Sequence, residues 1–336
     1  MLWFGRVPPL RILAALAVVL AAAPVGCSGY PSILTRASPE ASRIADLFWM
    51  LLAIAALVFV VVEGLLIFAV IRFRSRPGDG EPEPVHGNWR LEIAWTLAPA
   101  SILAIIFVFM FSTMESLSHP DAGARRIKIV GHQWWWEIHY PDLGVTTATD
   151  LHVPYGQPVA LELTSADVIH GIWAPELMGK TDVIPGQTTW AKFRAIKPGT
   201  YRGQCTEFCG TQHANMGFLV IAEQRDQFEE WIARMRMPAA VPGDTPTERG
   251  ARLFSTRPCG GCHTVQGTQA QGKTAPDLTH FGSRRTIASA TLDNTPENLA
   301  AWLADPQQVK PGNMMPSPGL SQEDIQYLVH YLGSLK

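Results

Sequence analysis

At 336 residues the chain has room for two or three domains, and its net charge of −2 leaves no basic footprint for nucleic acid. It is 47% hydrophobic and only 17% charged, against about 25% charged in a typical soluble domain, which points to segments inside a membrane. Its five cysteines fall as a singlet and two close pairs, Cys27, Cys205 with Cys209, and Cys259 with Cys262. An odd, clustered set is a poor disulfide framework and a better source of ligands or attachment points.

The first 26 residues carry Arg6 and Arg11, then an apolar run from Ile12 to Ala23, then Pro24-Val25-Gly26 before Cys27. This is the layout of a secretory signal peptide, and the run is too short to span a bilayer comfortably. Cys27 behind small residues also resembles a bacterial lipoprotein site, which would put a lipid on it, although Pro24 stands where such sites usually carry leucine. Ordinary cleavage nearby is the alternative. Residues 27–45 are then an external N-terminal segment.

Two longer apolar runs follow, Leu47 to Ile71 with the single charge Glu63, and Ile93 to Met114 with none. At 1.5 Å per residue each crosses a hydrocarbon core of about 30 Å, so residues 46–118 are expected to form a transmembrane helical hairpin. Arg72, Arg74, Arg76 and Arg90 place the connecting loop in the cytoplasm and everything after Met114 outside. Glu63, an acid inside a span, is expected to face a partner helix rather than lipid, and Glu92 lies at the cytoplasmic mouth of the second span.

Residues 119–228 read as β. Arg126 to Val130, Val159 to Leu163 and Ala191 to Arg194 alternate in polarity, separated by turn signals such as Pro154-Tyr155-Gly156 and Pro198-Gly199. Short alternating strands at this spacing predict an antiparallel sandwich or barrel. Between two strands lies GQCTEFCGTQHANMGF (Gly203 to Phe218), with Cys205, Cys209, His213 and Met216. His170, after the strand of Val159 to Thr164, can fold back onto the same end. Three chemistries stay open for these five residues. A disulfide between Cys205 and Cys209 would leave two histidines and a methionine unexplained. Structural zinc accepts two cysteines and two histidines but has little use for a thioether. Thiolate, imidazole and methionine together suit copper in electron transfer, and the second cysteine argues for two metals sharing bridging thiolates.

Residues 229–245 contain a Pro/Ala/Gly-rich linker ending in Thr245-Pro246-Thr247-Glu248, a capping-box pattern with proline at the first helical position. Residues 246–336 form the last domain. Cys259-Gly260-Gly261-Cys262-His263 is the C-x-x-C-H pattern of covalent c-type haem attachment, with His263 as proximal ligand; a redox dithiol would not need the histidine. In cytochrome c domains the distal methionine usually stands just before a proline, which selects Met315 in Met314-Met315-Pro316, with Met314 as the alternative. Ser321 to Asp324 is a second capping-box pattern, and Ile325, Leu328, Val329 and Leu332 give one helical stripe. This is expected to be a small all-α domain.

The run Val168-Ile169-His170, followed after 34 residues by Cys205-x3-Cys209-x3-His213-x2-Met216, resembles the CuA signature of the cytochrome c oxidase subunit II family. Gly131-His-Gln-Trp-Trp-Trp136, Lys180 to Gly186 and Glu92 to Pro99 are also similar to that family. With the haem motif behind them, the chain resembles the subunit II with fused cytochrome c found in bacterial caa-type oxidases. The resemblance implies a cupredoxin-like fold and a binuclear, mixed-valence copper centre (CuA) bridged by Cys205 and Cys209. His170 and His213 would be terminal ligands, Met216 a weak axial ligand, and the Glu207 carbonyl the other axial group. The Glu207 carboxylate would face a magnesium ion at the boundary with subunit I. Trp134 would be the point where electrons enter (its bland alternative being an aromatic core or a membrane-interface belt), and Glu92 would mark the mouth of a proton channel in subunit I.

The implied function is electron transfer from an external donor, such as cytochrome c or a cytochrome bc complex, through haem c and CuA to subunit I. There O2 would be reduced to water with proton pumping. The implied partners are subunits I and III and membrane lipid. The implied location is the bacterial cell membrane, with both metal domains on the outer side. A relay for nitrogen-oxide reduction and a copper-binding lipoprotein are the rival readings; a quinol-oxidase subunit is disfavoured because all the copper ligands are present.

Overall fold

The computed structural model describes residues 30–75, 80, 81, 84 and 86–336; the expected signal segment 1–26 and Cys27 lie outside them. Helix α1 (Pro39–Arg72) starts at Ser38, whose hydroxyl accepts from the Ala41 amide at 2.8 Å, with Pro39 in the first turn. Helix α2 (Trp89–Ser118) starts at Asn88, whose side-chain oxygen accepts from the amides of Arg90 and Leu91. Each contains an 18-residue window of high mean hydropathy, 2.9 and 2.2, in which no residue is buried by the rest of the chain. Leu57, Phe59, Ile71, Leu103 and Val108 are all exposed. Such surfaces suit lipid and partner helices, and a helix is one of only two ways to keep the backbone hydrogen-bonded there.

The first turn of α1 behaves differently. Glu40, Ala41 and Ala45 are buried, Glu40 accepts from the Arg194 amide at 3.0 Å, and Ala37 donates to the Glu176 carbonyl at 3.0 Å. The membrane hairpin is therefore fastened to the β domain that follows.

That domain contains β1 (Arg125–His132), β2 (Trp135–Tyr140), β3 (Val145–Ala148), β4 (Asp150–Pro154), β5 (Val159–Ser165), β6 (His170–Trp173), β7 (Thr181–Val183), β8 (Thr189–Phe193), β9 (Gly199–Cys205) and β10 (Gly217–Glu223). One sheet runs β3-β2-β1-β5-β8 and the other β4-β10-β9-β6-β7. Alternating residues supply the core, among them Ile127, Ile129, Trp136, Ile138, Leu161 and Leu163. The pairing is not wholly antiparallel as expected: β1 with β5 and β4 with β10 are parallel. The chain passes from β3 through β4 in the other sheet before returning as β5, so β5 arrives beside β1 in the same direction.

The expected linker at 229–245 is shorter than its composition suggests. Helix α3 (Arg225–Met235) packs Phe228, Trp231, Ile232 and Met235 into the sandwich core, and His152 stacks on Trp231 at 4.1 Å. These four residues recur at helical spacing, which makes the segment part of the β domain.

The C-terminal domain holds α4 (Thr245–Thr256), α5 (Cys259–Cys262), β11 (Thr286–Ile287), β12 (Leu292–Asp293), α6 (Pro296–Ala304), α7 (Pro306–Val309) and α8 (Gln322–Ser334). Asp244, not Thr245, caps α4, accepting from the Thr247 amide at 2.8 Å; a carboxylate favours the positive helix end. Ser321 caps α8 as the pattern predicts. Helices α4 and α8 meet at Gly250, where a Cβ would lie 2.1 Å from the Tyr327 carbonyl oxygen. The short β11–β12 hairpin is an addition to the expected all-α domain, and its loop holds Ala288, Ser289 and Ala290 in the left-handed region at φ 51°, 62° and 56°.

Candidate metal centre

Strand β9 ends at Cys205 and β6 begins at His170, and their pairing at Ile172 and Cys205 brings these two ends together. The loop after β9 folds over them and carries the other expected ligands. The Cys205 and Cys209 sulfurs are 3.7 Å apart with no bond between them. From Cys209 Sγ it is 3.6 Å to His213 Nδ1 and 3.8 Å to Met216 Sδ. Ligand atoms of His170, Cys205 and Cys209 all lie within 4.8 Å of one another. The Glu207 carbonyl oxygen is 3.3 Å from Cys205 Sγ, while its side chain is exposed.

The donor set fits copper. His170 Nδ1 is buried and makes no hydrogen bond, although its Nε2 is paired to Asp167 Oδ1 at 2.8 Å. A buried polar nitrogen without a partner costs about 1–3 kcal/mol, and here it belongs to the group that surrounds the two sulfurs. Buried Met216 adds a thioether, which zinc sites do not use and copper sites do.

The thiol pair shares a proton unequally. The Cys209 thiol, with help from His170 and against burial, holds Cys205 down to about 3. The Cys205 thiolate and burial together push Cys209 up. Burial lowers His170, but the neighbouring Cys205 sulfur and Asp167 carboxylate raise it overall.

The three tryptophans after Gln133 have three different environments. Trp134 donates from Nε1 to the Cys209 carbonyl at 2.9 Å, beside Gln133 Nε2 at 2.7 Å from the same oxygen. Trp135 stacks on His132 at 4.3 Å, on the opposite face of its strand from the core. Trp136 is a core residue, edge-on to His170 with centroids 5.8 Å apart. Glu92 is exposed in the first turn of α2, and Glu63 is half-buried among exposed neighbours in α1.

In the C-terminal domain Cys259 is half-buried and Cys262 exposed, both on α5. His263 donates from Nδ1 to the Pro276 carbonyl at 2.7 Å, which leaves Nε2 free as a ligand atom. Burial lowers its pKa, keeping the imidazole neutral. Met315 packs half-buried against the domain core, whereas Met314 is 83% exposed. Gln307 donates to the Met315 carbonyl at 2.8 Å and Asn313 accepts from its amide at 2.8 Å, fixing that loop. Arg284 Nε and His280 Nδ1 are buried without partners. Free thiols, an imidazole with Nε2 free, a seated thioether and the unpaired buried Nε of Arg284 fit a haem bearing carboxylates.

Several residues escape a reading by sequence. Asp167 orients His170 and also accepts from the Gln133 and Val168 amides; its place three residues before a candidate ligand histidine was a usable signal. Gly131 packs under the His170 ring, where a Cβ would be 2.8 Å from Cδ2. Gln212 and Lys310 join the two domains, and nothing in their local sequence announces it.

Three family models match successive parts of the chain: the transmembrane domain of cytochrome c oxidase subunit II over 32–113, its periplasmic domain over 143–223, and cytochrome c over 247–336. The chain is 39% identical to cytochrome c oxidase subunit 2 of Alkalihalophilus pseudofirmus over 323 residues, covering 93% of both. It is 36% identical to that of Bacillus sp. strain PS3 over 286 residues, 79% of this chain and 80% of the relative. With that of Bacillus subtilis it shares 31% over 347 residues, 96% and 97% respectively.

Proposed function

Because the chain belongs to the cytochrome c oxidase subunit 2 family, we infer that electrons enter at a haem c held by Cys259, Cys262, His263 and Met315, pass to a binuclear CuA centre, and leave for subunit I, where O2 is reduced to water with proton pumping. The chain is an electron-transfer subunit of a haem-copper oxidase, a membrane enzyme complex. His170, Cys205, Cys209, His213, Met216 and the Glu207 carbonyl are the copper ligands in this reading. The observation that carries it is the buried, unpartnered Nδ1 of His170 beside two unbonded thiols.

The chain's own groups do the positioning. Asp167 holds the His170 ring with Nδ1 toward the sulfurs, and Gln133 and Trp134 hold the Cys209 carbonyl. Burial of Cys205, Cys209 and Met216 keeps water from the thiolates. Pro276 fixes the tautomer of His263. Trp134, bonded to the Cys209 carbonyl, is the point where electrons reach the copper loop. The exposed Glu207 carboxylate is free to reach a magnesium ion at the subunit I boundary, and Glu92 marks the proton-channel mouth. The metal domains lie on the outer face of the bacterial cell membrane, with subunits I and III as neighbours and cytochrome c or a bc complex as donor. A lipid on Cys27 completes the proposal.

Oxygen uptake by membranes carrying His170→Ala tests the path. Haem c is expected to be reduced as in the wild type, while oxygen uptake falls by more than about tenfold. Unchanged uptake would overturn the copper relay.

A further inference from the structure

The contact between the β domain and the C-terminal domain is built around the two ligand loops themselves. Lys310 is 3% exposed and opens the loop that carries Met315. Its ammonium donates to the carbonyls of Trp134 at 2.8 Å, Asn215 at 2.6 Å and Ala288 at 3.1 Å. Two of these belong to the β domain: Trp134 is bonded to Cys209, and Asn215 immediately precedes Met216. The next residue, Pro311, accepts from Gln212 Nε2 at 2.7 Å, and Gln212 stands beside His213.

The loop of the β11–β12 hairpin forms the second half of the contact. Ser289 and Gly217 exchange bonds, the Gly217 amide donating to Ser289 O at 3.0 Å and the Ser289 hydroxyl to Gly217 O at 2.8 Å. Arg202 reaches Ala290 O at 3.1 Å. At the far end buried Asp150 accepts from the Arg285 amide at 2.8 Å and the Thr286 hydroxyl at 3.3 Å.

Two features separate this contact from a chance touch of tethered domains. The buried groups Asp150, Ser289 and Lys310 are paired across the boundary, and the central cation has three acceptors for its three donors. Burial pulls that ammonium down to about 7, so the position is costly for a lysine unless the carbonyls are there to receive it. The three left-handed residues Ala288, Ser289 and Ala290 shape a loop that presents Ser289 to Gly217 at the start of β10.

We propose that Lys310 is a positioning residue that locks the haem-binding domain in one place on the copper loop, so that the Met315 loop and the Cys209–Met216 loop meet in fixed register. The C-terminal domain is then a docked donor, not one that searches on the end of its linker. This rests on the assignment of haem and copper above, and its test separates the two.

The test compares the wild type with Lys310→Met in the purified, metal-loaded oxidase. Hydrogen exchange of the Gly217 and Arg285 amides, both of which donate across the boundary, reads docking directly. They are expected to be as protected as β9 and β10 in the wild type, and to exchange about tenfold or more faster in the variant, with α8 and β1 unchanged. Haem-to-copper electron transfer should fall about tenfold and become dependent on solvent viscosity, which in the wild type it is not, while the copper and haem spectra keep their form. Where Lys310→Met fails to retain haem, Asp150→Asn, which weakens the far end of the contact, carries the Gly217 exchange and electron-transfer readouts. Fast exchange of Gly217 and Arg285 in the wild type, or transfer in the folded variant that matches the wild type, overturns the lock. A protein without copper or haem but with those amides protected would sink the assignment and leave the docking standing.

Discussion

At the loop proposed to hold copper the candidate ligands are packed together by strand ends: His170 is fully buried, Cys205, Cys209 and Met216 are buried, and the Asp167 pair already orients the ring. In the C-terminal domain Cys262 is exposed, and Cys259 and Met315 are only half-covered. The first site sits on a sandwich whose core is complete without metal. The second belongs to a small domain with less apolar surface of its own to bury, so an attached haem is expected to supply much of its core.

The largest test of that contrast removes the haem attachment. Cys259→Ser with Cys262→Ser should speed hydrogen exchange in α8 by about a hundredfold or more, ~2.8 kcal/mol. Chelating copper should change β1 and β5 by less than about threefold. Equal loss in both domains would break the comparison. Gly250→Ala comes next, because the added carbon meets the Tyr327 carbonyl at 2.1 Å. It should destabilise the C-terminal domain by about 1–3 kcal/mol in chemical denaturation, without shifting the β-domain transition.

Asp167→Asn sharpens the copper side. The exchange keeps the shape but loses the carboxylate charge on His170, and copper affinity should drop by about 10–100-fold in a competition titration. Met315→Leu should change the axial ligation seen in the haem optical spectrum while Met314→Leu leaves it intact; the reverse result would exchange their roles. The smallest effect is a pH dependence. Partial burial pushes the Glu137 carboxyl up, but His132 and His139 outweigh it and hold it at about 2, below the ordinary 4.5. A depressed carboxylate contributes stability that is full above its unfolded pKa and is lost as pH falls through the folded one. Between pH 4.5 and about 2 the wild type should lose up to ~1 kcal/mol relative to Glu137→Gln, screened by its part exposure. Parallel acid-denaturation curves would remove the His–Glu–His cluster from the account.

Much of this molecule was legible in the sequence because its chemistry is local. The ligand run from Cys205 to Met216, the Cys259 to His263 motif and the two apolar spans each declare themselves within about 25 residues. His170 could be found because it ends a turn next to a readable strand. What stayed hidden depends on distant partners. The parallel pairing of β1 with β5 follows from a crossover that no strand encodes alone, and the expected boundary at 228 cuts through α3 because only the sandwich shows that Phe228 to Met235 packs against it. Lys310 was least legible: a lysine in a Pro/Gly loop reads as solvated, and only the carbonyls of Trp134 and Asn215, far away in sequence, make it a buried contact.

Metal analysis with EPR spectra on the purified full chain tests the central claim most directly. The account predicts about two coppers and about one haem c per chain, with one unpaired electron delocalised over both coppers through Cys205 and Cys209. Zinc in that site, or a single copper with a blue-copper spectrum, would contradict it.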